Sequence, residues 1–149
     1  MPGRSITEKD LKTALPNLSK TFKLKGLDAP VEIHRDRFGI PHVLAQTAHD
    51  AFFGQGFASA QDRLWHMDYD RHNAYGRLAE WLGQWAVEGD RVMRRFQIGA
   101  TVEEDFRTVD APSRAMLEAY AAGVNAFIET TVALPIEYAL LDAKPDPWQ

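Results

Sequence analysis

The sequence predicts a mainly α-helical protein that opens on a short β region, either a hairpin or three strands. Three observations carry this. Between Lys20 and Ala45 apolar side chains recur with period two. From Thr47 onward the period changes to 3.6. Hydrophobic residues make up 45% and aromatics 11% of the 149 residues, enough to cover helices with a packed core. Residues 1–19 read as an N-terminal extension and residues 20–149 as the body of the domain.

Each element follows from local chemistry. Thr7 followed by Glu8 to Leu15 predicts a short helix that Pro16 stops. Phe22 and Leu24 alternate with Thr21, Lys23 and Lys25, which predicts a half-buried first strand. After a turn bracketed by Gly26 and Pro30, Val31 and Ile33 alternate with Glu32 and His34 as a second strand. Asp36-Arg37-Phe38-Gly39 reads as a turn, and Ile40 to Ala45 as a third strand with Pro41 near its start. Thr47 is then an N-cap for a long helix, with Asp50 in its first turn to complement the dipole. Its stripe runs Phe53, Phe57, Ala60, Leu64, Met67, Tyr75, Leu78 and Leu82, with Gly83 as the stop. Gly54, Gly56 and Gly76 are poor helix formers and predict close packing or kinks. One further helix is expected within 89–109, anchored by Val92, Phe96 and Phe106. Another begins after the N-cap Asp110 with Pro112 in its first turn, and its stripe is Met116, Leu117, Tyr120, Val124, Phe127 and Ile128. The tail from Leu134 to Gln149 is proline-broken and ends on an aromatic. It reads as a cut, or as a segment meant to pack on something else.

Composition narrows the function classes. Net charge is −4, so a basic nucleic-acid footprint is not expected. With no cysteine, the chain has no disulfide framework, thiolate metal site or Cys nucleophile. No stretch is apolar enough for a transmembrane span, and Met1 to Asp10 holds no apolar leader segment. A cytoplasmic location is therefore expected.

Candidate chemistry is sparse. Gly-x-Ser-x-Gly is absent, and Ser59 sits between Ala58 and Ala60 inside the long helix, where a small contact residue is the expected role. Gly54-Gln55-Gly56 falls one residue short of a dinucleotide fingerprint and lacks its strand-to-helix setting. None of His34, His42, His49, His66 and His72 forms His-x-x-x-His, and His66 and His72 lie about 600° apart around a helix, so no metal site is expected. The densest run is Gln61-Asp62-Arg63-Leu64-Trp65-His66-Met67-Asp68-Tyr69-Asp70-Arg71. One reading is an exposed face with i,i+4 pairs such as Asp62–His66. Because Trp65, Met67 and Tyr69 spread around the helix, a buried helix with its charges paired is preferred. Asp62 and Asp68 as an acid–base pair is disfavoured, since they fall on different faces.

Val31-Glu32-Ile33-His34-Arg35-Asp36-Arg37-Phe38-Gly39-Ile40-Pro41-His42-Val43 resembles the opening hairpin of the penicillin acylase (penicillin amidase) family. Asp50 through Asp68 resembles that family's long first helix, and Gly76-Arg77-Leu78-Ala79-Glu80, Tyr120 to Ala126, Leu134 to Tyr138 and Pro145 to Trp148 match later segments in order. The motif positions are Asp36, Gly39, Pro41, His42, Gln61, Asp62, Arg63, Trp65, Met67, Asp68, Gly76 and Arg77, and the resemblance gives them a scaffold role. It implies an N-terminal-nucleophile amidohydrolase of αββα architecture, made as a precursor that cuts itself into an α chain and a larger β chain. The β-chain N-terminal Ser would attack an amide carbonyl with its own α-amine as base. This sequence would be the N-terminal portion of the α chain. Its Met1-Pro2 start offers no nucleophile, and it stops just after Trp148, before the stretch that by the resemblance would hold the calcium-binding glutamate, so no catalytic or metal residue transfers to it. The resemblance further implies a β-chain partner, an N-acyl small-molecule substrate, no cofactor on this chain and a calcium ion in the complete enzyme. The competing expectation is a non-catalytic helical interaction module or orphan fragment, which a stop codon after Gln149 would favour. Isolated, the chain is expected to self-associate, with Phe53, Phe57, Trp81, Trp85 and Trp148 as the uncovered apolar surface.

Overall fold

The computed structural model describes residues 5–149; the Met1-Pro2 start and the rest of residues 1–4 lie outside the described residues. Helix α1 (Glu8–Ala14) opens on a full capping box, with Thr7 accepting from the Asp10 amide and Asp10 reaching back to the Thr7 amide. A coil over 15–31 leads to the antiparallel hairpin β1 (Glu32–Arg35) and β2 (Pro41–Leu44), in register Glu32↔Leu44 through Arg35↔Pro41. Helix α2 (Ala48–Ala74) follows, then the short α3 (Ala79–Leu82), a 3₁₀ turn (Gly83–Ala86), α4 (Val87–Arg95), α5 (Ile98–Thr108), α6 (Ala111–Thr130) and α7 (Ile136–Leu141). The architecture is mainly helical with a two-stranded sheet.

The expected strand at Lys20–Lys25 does not form. Phe22 and Leu24 still point inward and Thr21, Lys23 and Lys25 outward, but the only sheet among the described residues is the hairpin, and this segment pairs with neither strand. Period-two burial therefore reports an extended backbone lying on the core, with Phe22 edge-on to Phe57 at 5.2 Å. The long helix also stops earlier than expected. Its capping residue is Tyr75, Gly76 takes φ +63, and Gly83, φ +64, closes only the short α3. Within α2, Arg63 at φ −150 and ψ 30 marks a kink. The helix expected within 89–109 is two helices, broken where Gln97 adopts the left-handed conformation at φ 53. Its expected anchors divide, since Val92 and Phe96 face solvent and Phe106 is half-buried. The proline-broken tail holds α7, whose Tyr138 is buried.

The core lies where α2 crosses α6. Phe57, Ala60, Leu64, Val124, Phe127 and Tyr138 form it, with Trp65, Met67 and Trp148 packed against its edge. The crossing is close because two glycines face backbone. A Cβ on Gly56 would overlap the Tyr120 carbonyl oxygen, and one on Gly123 the Phe53 carbonyl oxygen. Gly54 lies close under the Val31 and Val43 side chains, where a Cβ would come within 2.9 Å of a methyl, and a Cβ on Gly76 would lie 2.6 Å from the Asp90 carbonyl oxygen. The close packing expected at Gly54, Gly56 and Gly76 is thus present, and Gly123 supplies the facing half of the crossing.

Candidate functional site

Three polar locks use the motif residues. The first joins the hairpin to α2. Arg35 donates to Asp62 at 2.7 and 2.9 Å, to Gln61 Oε1 at 2.9 Å and to the Gly39 carbonyl at 3.1 Å. Asp36 holds the turn itself by accepting from the Phe38 and Ile40 amides at 2.8 and 3.0 Å, while Gly39 takes φ +80. Partial burial alone would raise the Asp36 carboxyl. The Ile40 and Phe38 amides more than offset it and hold the group below its ordinary range. Pro41 starts β2, and His42 is exposed with Nε2 3.5 Å from Asp36. The Asp62–His66 pair of the exposed-face reading does not form, because Asp62 turns to Arg35 and His66 lies 3.5 Å from Asp70.

The second lock is centred on Asp68, which has no solvent exposure. Its Oδ1 accepts from Arg71 at 2.6 and 3.1 Å, and its Oδ2 from the Tyr138 hydroxyl at 2.8 Å. His72 Nδ1 lies 2.9 Å from the Asp68 carbonyl, and its ring stacks on Trp81 at 3.6 Å. Trp65 stacks on Trp81 at 4.9 Å and meets Tyr138 edge-on. Burial, and next Asp68, push the Tyr138 hydroxyl well above its ordinary value, so it remains a donor. Arg71 continues outward to the Asp146 and Pro147 carbonyls and lies over the Trp148 ring, while Asn125 holds Trp148 at both backbone N–H and C=O. The charged run is thus a half-buried helix whose one fully buried charge is paired; Asp62 and Arg63 remain exposed.

The third lock fixes the turn after α2. Asp90, buried on α4, accepts from the Leu78 and Ala79 amides at 3.0 and 2.7 Å and so caps α3 from a distance. Arg77 makes a two-toothed pair with Glu80 at 2.8 Å each and reaches Asp146 at 3.1 Å. That Glu80 bond, above all, raises the guanidinium further.

The sequence missed Asp90 and Tyr138 as partners, and read Asp50 as a dipole residue only. Asp50 is wholly buried and accepts from the Asp28 and Ala29 amides at 2.9 and 3.0 Å, straddling the turn before the hairpin. The Asp28 bond, chiefly, holds its carboxyl below the ordinary range despite burial. His49 Nδ1 is 3.3 Å from Asp50 and 3.9 Å from Asp28. These three are the group whose metal-ligating atoms converge among the described residues, within 4.8 Å. Asp50 already spends an oxygen on each backbone amide. Ser59 is half-buried within α2, with no base against it among the described contacts. An open groove between α2, α5 and α6, lined by Phe52, Val109, Met116, Leu117 and Tyr120, is mostly apolar; its Ser113 hydroxyl donates to Asp110. The arrangement braces backbone, and its hydroxyl–carboxylate pairs serve structure: Thr7–Asp10 and Ser113–Asp110 at helix starts, Tyr138–Asp68 in the buried lock.

Residues 30–149 match the penicillin amidase family. The chain belongs to that family. It is 48% identical over 139 residues to the penicillin acylase 2 proenzyme of a Pseudomonas species, covering 93% of this chain and 18% of that protein. It is 36% identical over 137 residues to the acyl-homoserine lactone acylase QuiP of Pseudomonas aeruginosa, covering 91% and 16%. Among solved structures, the thermostable penicillin G acylase from Alcaligenes faecalis superposes with a TM-score of 0.73 at 33% identity, covering 80% of this chain and 66% of that one. The chain therefore spans less than a fifth of the length of these curated relatives. Family membership covers the hairpin, α2 through α7 and all three locks, while α1 precedes the matched range. No helix of the described residues is long and apolar enough to cross a membrane.

Proposed function

We propose that this chain is the N-terminal portion of the α chain of a penicillin-acylase-like amidohydrolase, and that its role there is scaffolding. The observation that supports this reading is the commitment of the motif side chains. Of the motif positions, Asp36, Gln61, Asp62, Asp68 and Arg77 each brace backbone or another side chain, as do Arg35 and Asp90 beside them. The reaction is hydrolysis of an amide between an acyl group and an amine, within an αββα N-terminal-nucleophile fold completed by a β chain. The nucleophile is the β-chain N-terminal Ser. A free α-amine, with an ordinary pKa of about 7.7–8.0, serves as its base near neutrality. The term proenzyme attached to one relative supports processing into two chains. Substrates are N-acyl small molecules, with penicillins and acyl-homoserine lactones as the candidates that the relatives' names supply. Calcium belongs to the complete enzyme and no cofactor to this chain, and a cytoplasmic location is part of the same proposal.

The test is turnover of chromogenic N-acyl anilides of several acyl lengths. Residues 1–149 alone are expected to release no amine above background, and co-expression with a Ser-led β chain of the family is expected to restore release. Turnover by 1–149 alone that disappears in Ser59→Ala would overturn the reading.

A further inference from the structure

The apolar surface the sequence indicated remains open only in part. Phe53 and Phe57 are buried and Trp81 and Trp148 half-buried, leaving Trp85 alone of the five expected residues in solvent, at 87% exposure. It does not stand by itself. Ala86 and Val87 keep right-handed helical backbone, so the 3₁₀ turn runs directly into α4. At 100° per residue, Trp85, Gly89, Val92 and Phe96 fall within about 60° of one another. Val92 is 51% and Phe96 65% exposed, and a Cβ on Gly89 would meet nothing within 4 Å. The opposite face is anchored, with Ala86 and Asp90 buried and Arg94 donating to the Gly76 carbonyl at 2.8 Å. The stripe is therefore a rigid apolar ridge with a notch at Gly89. Glu88 and Arg95 lie together on one flank of it. Glu88 makes only an exposed pair with Arg91 at 2.7 Å, and Arg95 has no partner among the described residues.

This pattern is complementary to itself when reversed. If two copies of α4 pack antiparallel about a two-fold axis between Gly89 and Val92, Trp85 meets Phe96 of the second copy. Val92 enters the notch left by Gly89, and Glu88 faces Arg95. A closed two-fold contact is the commonest way to bury a surface that matches itself. We propose that a second copy of this chain docks on the Trp85–Gly89–Val92–Phe96 stripe, as an antiparallel α4 pair flanked by Glu88–Arg95 contacts. The six apolar side chains remove on the order of 800–1,000 Å² from water, below the ~1,200 Å² of stable specific interfaces, so the dimer is weak and concentration-dependent. The proposal concerns the 149-residue chain by itself; under the acylase reading, the β chain and the rest of the enzyme compete for this face.

Sedimentation equilibrium on the 149-residue chain decides it. The weight-average mass is expected to rise from monomer near ~1 μM toward dimer by several hundred micromolar. Trp85→Glu and Phe96→Glu should each hold the chain monomeric throughout with circular dichroism unchanged; Trp85 at 87% exposure should leave the melting temperature unchanged, and Phe96, at 65% and capping α4, should lower it only slightly. Glu88→Lys or Arg95→Glu alone should weaken the dimer roughly five-fold, and the double exchange should restore it. The wild-type chain staying monomeric at several hundred micromolar would overturn the proposal. So would a dimer that survives Trp85→Glu, or a double exchange that fails to restore association.

Discussion

Replacing Gly123 by Ala tests the α2–α6 crossing directly. A Cβ at Gly123 would overlap the Phe53 carbonyl oxygen and lie 2.8 Å from the carbonyl carbon and 2.9 Å from the Phe57 nitrogen. Ordinary contact begins near 3.4 Å, and all three atoms are backbone, so no rotamer change relieves the clash. The helices must separate by about 1–1.5 Å, and a gap of ~1 Å already forfeits about half of the dispersion well across the contact. The residues losing it are Phe57, Val124 and Phe127, each at most 5% exposed. Overpacking of this kind costs about 1–3 kcal/mol. The loosened contacts add to that, and the helix propensity of Ala over Gly returns about 1 kcal/mol. The net expectation is a loss of about 3 kcal/mol, or roughly 6–12 °C in Tm for a chain of this length. Gly89→Ala is the control. It is the same substitution within a helix, but with open space around the new methyl, so it should gain about 0.5–1 kcal/mol. Thermal and urea unfolding followed by circular dichroism at ~1 μM, below the association expected for the α4 stripe, reads both. A Gly123→Ala chain that melts at or above the wild-type temperature would refute the close crossing.

Two further outcomes follow from the locks. Tyr138→Phe removes the donor to Asp68 Oδ2 while keeping the ring against Trp65. It should cost about 1–3 kcal/mol, the range for an orphaned buried acceptor, and an unchanged urea midpoint would mean that Asp68 finds another donor. Asp50 is held below the unfolded aspartate value of about 3.9, so its contribution is complete above that pH and is lost as pH falls through the folded value. Asp50→Asn should therefore be less stable than wild type near neutrality and show a shallower loss of stability below about pH 4; parallel acid-unfolding curves for the two proteins would contradict this.

What the sequence determined by itself is mostly local. Thr7, Thr47 and Asp110 start helices because each side-chain oxygen accepts an amide within three residues, a geometry that needs nothing distant. Asp36 and Gly39 form their turn for the same reason. The change of period at Thr47 marked the hairpin-to-helix boundary, and the ordered motifs carried the family. Tertiary structure decided the rest. Lys20–Lys25 alternates like a strand, but whether a backbone pairs depends on an available edge, which alternation does not encode. The apolar steps from Phe53 to Leu82 continue through the end of α2, because spacing does not show where Gly76 turns left-handed under Asp90. Asp68 finds Tyr138 seventy residues away, and Asp90 caps a helix eleven residues before it. Such partners depend on which surfaces fold together. The same holds for the aromatics. Phe53, Phe57 and Trp85 are equally apolar in sequence, yet only the arrival of α6 against α2 buries the first two and leaves the third in water. Burial is a property of the pair of surfaces that meet, whereas periodicity reports only one of them.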